Sequence, residues 1–261
     1  MTVNVTKDIV YQSDLDLKLD VYENSEGSRA AILDIHGGGW VQGDKAKEAG
    51  IATKFAEQGF LVVVPNYRLA PAAFYPAARD DVWEAYQWLK SSPFNFDHSK
   101  IGVFGGSAGG SLSVDVGLKD GIPAVSWSGI FDIIDWFSKH KDVVPVRNTE
   151  LDTVSKSNEI DQGGKNDPYY KWFILNYVNQ DESKFPGLEP FDRVTAKAGP
   201  IYLANSLEEI VPTTGVTMLE EALAKVDVPV VTQLVSGGRH AEGYEDVAWQ
   251  PTLDFFNQYL A

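Results

Sequence analysis

The sequence predicts a doubly wound, mostly parallel α/β sheet with helices on both faces, and three observations carry that prediction. Short continuous apolar runs occur at Ala30–Ile35, 61–64, 101–104, Ala124–Trp127, 201–204 and 228–235. Strands buried on both faces read this way, because helices cover each side of a parallel sheet. Between the runs lie stretches with apolar residues at helical spacing, at 45–58 (KAKEAGIATKFAEQ) and Ala77–Lys90 (AARDDVWEAYQWLK). The third observation is the strict alternation of the two patterns, which builds strand–helix–strand crossovers. With 261 residues, 44% of them hydrophobic, the chain has enough apolar surface to cover one such sheet on both sides.

The first element differs in kind. Leu15, Leu17, Leu19 and Val21 alternate with Asp16, Lys18 and Asp20, which predicts a half-buried strand at a sheet edge. Further on, Pro212 is expected at the first helical position before TTGVTMLEEALAKV. A last helix at 250–260 places Leu253, Phe256 and Leu260 on one face. Residues 131–186 interrupt the rhythm. They are too many for a simple crossover and include Phe131, Trp136, Phe137, Tyr169, Tyr170, Trp172, Phe173 and Tyr177 around a polar middle, NTELDTVSKSNEIDQGGKND. An insertion after a strand's C-terminal end lies over the place where such sheets bind ligands. It reads as a small cap or lid inside a single domain of residues 1–261, the alternative being aromatics that pack only among themselves.

Composition excludes several chemistries. The chain has no cysteine, so disulfides, thiolate metal sites and a cysteine nucleophile are ruled out. A net charge of −15 repels nucleic-acid phosphates and anionic lipid. The first residues lack a basic start followed by an apolar run, and no apolar stretch approaches the roughly 20 residues of a membrane span. The expectation is a cytoplasmic protein with no nucleic-acid or membrane partner.

Two glycine motifs follow apolar runs. Gly105-Gly106-Ser107-Ala108-Gly109 has the G-x-S-x-G pattern between a strand and a helix-compatible stretch, the context in which serine is thrust out on a sharp turn. Alone it is weak, since a chain of this length produces it by chance roughly once in ten. His36-Gly37-Gly38-Gly39-Trp40 is far rarer and exposes backbone N–H groups with no side chains in the way, which is what an oxyanion requires. Neither phosphate-binding pattern, G-x-x-x-x-G-K-[ST] or G-x-G-x-x-G, is present. The N–H of Ala108 adds a donor beside Ser107.

A serine hydroxyl needs a base. Of four histidines, His98 and His140 stand in polar surroundings, and His36 is expected to hold its own loop. His240 follows the last apolar run on a glycine-flanked loop, at the same sheet edge as Ser107, and is the candidate base. The acid that orients it should follow the run 201–206. Glu208 and Glu209 both do, and the residues alone leave the choice open.

On these motifs the chain resembles the hormone-sensitive-lipase-like branch of the α/β-hydrolase fold, which includes many bacterial carboxylesterases. The resemblance covers HGGGW at 36–40, NYRLAP at 66–71 with YPAA at 75–78 and Asp80-Asp81, GGSAGG at 105–110, SLEEIVP at 206–212 and GGRHAEGY around His240. It implies a serine carboxylesterase working through an acyl-enzyme, with neither metal nor organic cofactor; the aromatic insertion suggests an apolar or aryl pocket, and the missing N-terminal cap suggests short acyl chains. Aligning EEIVP with the family's D-E-[LIV]-V-P favours Glu208 as the acid, completing Ser107, Glu208 and His240. Gly38, Gly39 and Ala108 map to the oxyanion hole, and Trp40, Phe131 and Trp136 are expected to contact a small-molecule ester. A homo-oligomer is compatible with the pattern. The same catalytic set serves an arylformamidase or amidase, and a non-catalytic ligand-binding relative would lack Ser107 or His240. Three features depart from the pattern: Glu replaces the usual acid Asp, Gly106 stands where Asp is common, and little chain precedes the first strand. The last of these assigns the pocket roof to the 131–186 insertion.

Overall fold

The computed structural model describes residues 2–148 and 165–261; the middle of the predicted insertion lies outside the described residues. Eight strands form one sheet in the order β1-β2-β4-β3-β5-β6-β7-β8. They are β1 Val3–Gln12, β2 Leu17–Asn24, β3 Ala30–Ile35, β4 Phe60–Pro65, β5 Ile101–Gly106, β6 Ala124–Trp127, β7 Ile201–Ser206 and β8 Val230–Val235. β1 and β2 run antiparallel to their neighbours, whereas β4-β3-β5-β6-β7-β8 are parallel. The α/β-hydrolase fold expected from the sequence is therefore present. Among the described residues, no helix is long and apolar enough to cross a membrane.

The alternating segment is not an edge. β2 is flanked on one side by β4 and on the other by β1, whose mostly exposed residues gave no apolar signal. Asp20, on the polar side of that alternation, is buried and forms an ion pair with Lys45 Nζ at 2.6 Å. The run 228–235, read as buried on both faces, is instead the far edge, with Val231 and Leu234 about half exposed.

The crossovers are α1 Ala49–Glu57, α2 Ala77–Lys90 and α3 Ala108–Asp120, followed in the insertion by α4 Ile134–Lys139, α5 Asp167–Tyr177 and the single turn α6 Phe185–Leu188. Then come α7 Thr214–Lys225 and α8 Glu245–Tyr259. Pro212 lies outside α7, which starts two residues later than expected. α8 begins well before the predicted residue 250 and runs through Pro251, with Leu253, Phe256 and Leu260 all buried.

Two clusters of buried side chains cover the two faces of the sheet. One contains Phe55, Phe60, Phe104, Trp127 and Phe256 beneath α1 and α8. The other contains Val103, Leu112 and Tyr86 beneath α2 and α3 and continues into the insertion through Trp136, Tyr170 and Phe173. Lys171 ties the insertion down: its Nζ donates to the carbonyls of His140, Lys141 and Val143 at 2.8–3.2 Å. The carbonyls after α4 thereby gain a cationic cap.

Candidate active site

Ser107 sits at the junction of β5 and α3 with φ +55° and ψ −124°, a conformation rare for a residue with a side chain. The turn is held from both sides. The Ser107 N–H donates to Trp127 O at 2.7 Å, tying the elbow to the neighbouring strand. The first turn of α3 crosses so near β3 that a Cβ on Gly109 would collide with Ile35 O. The space that a side chain at position 106 would fill holds the Glu242 carboxylate and the Ala241 methyl. That contact gives a physical reason for glycine where the related pattern carries Asp.

The glycine loop lies against this turn. Gly38 and Gly39 both take positive φ, +116° and +60°. No described residue accepts a hydrogen bond from either N–H group. The Ala108 N–H is the first of a helix and has no partner in the ladder. His36 supports the loop. Its Nδ1 meets Gly37 O at 2.8 Å, and its ring stacks on Tyr67 with centroids 4.1 Å apart. Burial lowers its pKa to about 4, so it stays neutral near pH 7. Tyr67, from the NYRLAP segment, also donates its hydroxyl to His36 O at 2.8 Å. Next to it, Asp81 receives both the N–H and the guanidinium of Arg68. Tyr67 thus braces the glycine loop through His36, which the motif's spacing alone did not reveal.

An alanine at position 38 would place its Cβ against Gln42 O and would need a φ reserved for glycine. Gly38→Ala is expected to lower kcat on the order of 100-fold with KM little changed, the size of one lost oxyanion donor. Steady-state kinetics check this.

The main correction concerns the carboxylate that meets His240. His240 Nδ1 bonds to Glu209 Oε2, and both side chains are buried. Glu208 is exposed, and its N–H donates to Gly237 O in the turn after β7. The chain reverses within this turn, so adjacent residues point opposite ways. Glu209 folds back, and its Oε1 accepts from Ser206 N–H at 2.7 Å and from the Ser128 hydroxyl at 2.8 Å. The extra methylene of Glu relative to Asp supplies the reach. The histidine loop is fastened as well, by the Ser206 hydroxyl donating to Arg239 O at 2.5 Å.

The three aromatic residues expected to touch substrate are packed inside. Trp40 is 3% exposed and stacks on Tyr177 of α5 at 4.6 Å. Phe131 and Trp136 are 2% and 5% exposed, and Trp136 stacks on His140. All three belong to the cluster that joins the sheet to the insertion. The insertion nevertheless reaches the glycine loop, since a Cβ on Gly39 would lie 2.9 Å from the Phe173 ring.

A group of buried carboxyls lies behind the elbow. Burial raises Glu48 to about 8, with the Glu242 carboxylate adding to the shift and Lys47 opposing it. Burial likewise pushes Asp34 well above the usual range, helped by Glu48 and Glu242. The folded chain therefore holds a proton on Glu48 that the unfolded chain releases near 4.5, and stability falls as pH rises from there toward 8. Glu48→Gln is expected to melt several degrees above wild type at about pH 9, with the gain vanishing near pH 5. Thermal denaturation at both pH values reads this directly.

A family model described as BD-FAE matches residues 17–223 of this chain. An AB hydrolase superfamily protein of Schizosaccharomyces pombe is 33% identical over 173 residues, covering 64% of this chain and 49% of the relative. A versiconal hemiacetal acetate esterase of Dothistroma septosporum is 33% identical over 130 residues, covering 44% of this chain and 40% of the relative. The matches therefore span no more than about half the length of these relatives. A Pyrobaculum calidifontis esterase structure superposes with a TM-score of 0.75 at 20% identity, covering 99% of this chain and 86% of that one. At that identity the likeness is one of fold.

Proposed function

We propose that this chain, which belongs to the BD-FAE family and has the α/β-hydrolase fold, is a serine carboxylesterase acting on small esters. The observation that carries the reading is the convergence of three loops at the C-terminal edge of the sheet. Ser107 follows β5 in a strained turn, Glu209 follows β7, and His240 follows β8 with its Nδ1 on Glu209. An Nδ1–H donated to a carboxylate leaves Nε2 with its lone pair, the tautomer a general base requires.

Ser107 Oγ attacks the ester carbonyl as His240 Nε2 takes its proton, and Glu209 stabilises the imidazolium. The N–H groups of Gly38, Gly39 and Ala108 receive the oxyanion. His240 then protonates the leaving alcohol, and an acyl-enzyme remains on Ser107. Water, deprotonated by His240, releases the acid.

Short acyl groups fit this reading, because the Phe173 ring bears on Gly39 and Trp40 is stacked under α5. Turnover of p-nitrophenyl esters from acetate to dodecanoate tests both parts. A maximum at acetate or butyrate is expected. A maximum at the long chains would overturn the acyl preference, and no turnover of any ester would overturn the activity.

A further inference from the structure

We propose that Ser128 is a positioning residue that locks the acid and the base of this site into one register, an inference that rests on the esterase reading. Ser128 follows the last residue of β6, is fully buried, and has φ +55°. Its N–H donates to Ala204 O at 2.8 Å, which fixes the turn against β7. Its hydroxyl lies between the two halves of the acid–base pair. It is 2.8 Å from Glu209 Oε1 and 2.9 Å from the N–H of Ala241, the residue after His240. Tyr244 OH is also 2.8 Å away and reaches Ala204 O at 2.9 Å.

Counting hydrogens assigns the directions. The Ala241 N–H only donates and an ionised carboxylate only accepts, so Ser128 takes a bond from Ala241 and gives its single proton to Glu209. Tyr244 then donates, to Ser128 Oγ or to Ala204 O. A glutamate has one more torsion than an aspartate and more ways to miss its histidine. Ser128 and the Ser206 N–H together hold Oε1 and leave Oε2 to His240. Ala241 has φ +45°, so the backbone just past the base is itself in an unfavourable conformation that the Ser128 bond steadies. One hydroxyl therefore fastens the loops after β6, β7 and β8 to one another.

The test compares Ser128→Gly, which removes the hydroxyl and tolerates the positive φ, with Tyr244→Phe, which leaves both Ser128 bonds in place. Each is read by kcat and KM on p-nitrophenyl acetate, by thermal melting, and by the far-downfield proton resonance of the His240 Nδ1–H. Ser128→Gly is expected to lower kcat on the order of 10- to 100-fold, the effect of losing a hydrogen bond to a charged group, with KM little changed. The downfield resonance should shift or broaden away, whereas Tyr244→Phe should keep both the resonance and nearly all of kcat. Wild-type kcat and resonance in Ser128→Gly would overturn the proposal, as would an equal loss in Tyr244→Phe. If Ser128→Gly does not fold, Ser128→Cys keeps the shape and weakens the donor. An intermediate kcat is then expected, and wild-type kcat would overturn the proposal. The resonance needs no substrate, so an inactive wild type counts against the esterase reading alone.

Discussion

Ser107→Ala is expected to lower esterase turnover on the order of a million-fold while leaving the fold intact. The hydroxyl supplies the oxygen that forms the acyl bond, and without it only slow direct attack by water remains. Alanine occupies the elbow without new contacts. The positive φ is retained because the turn is imposed by Ser107 N–H on Trp127 O and by the crossing of α3 over β3. What activity remains reports the oxyanion donors and binding, roughly 10³–10⁴-fold over water in comparable triads. Melting temperature and turnover of the same preparation measure both statements.

The second large effect separates two adjacent glutamates. Glu209→Gln keeps the shape of the side chain but can present an amide N–H to His240, favouring the tautomer with its proton on Nε2. Nε2 is the nitrogen that must be bare, so kcat should fall roughly 10⁴-fold. Glu208→Gln changes an exposed side chain outside that contact and should stay within about twofold of wild type. If Glu208→Gln carried the loss and Glu209→Gln were mild, the acid assignment would revert to the one the aligned motif favours.

These two glutamates also show how far the sequence reaches. Ser107, His240 and the glycine loop were legible because each is bound to a backbone requirement that leaves a glycine signature. The choice between Glu208 and Glu209 turns on which way a side chain points within one tight turn. Neighbours with the same side chain carry no mark of that. Ser128 had no signature at all, because its role depends on two other loops, 81 and 113 residues away from it in sequence. The parallel strands were readable from their apolar runs, whereas β1 was not, since its pairing with β2 uses backbone groups and its side chains face water. The aromatic insertion was recognised by its composition, but the same composition serves a core as well as a binding wall. Packing decided that Trp40, Phe131 and Trp136 are buried in the core.

The most direct measurement is intact and peptide-level mass spectrometry after exposure to an alkyl fluorophosphonate, which reacts only with a serine that a base has activated. A single adduct on Ser107 is predicted, slowed severely in His240→Ala and in Glu209→Gln and unaltered in Glu208→Gln. An unmodified wild-type protein, or an adduct on another serine, would contradict the assignment of Ser107, His240 and Glu209 as one catalytic unit.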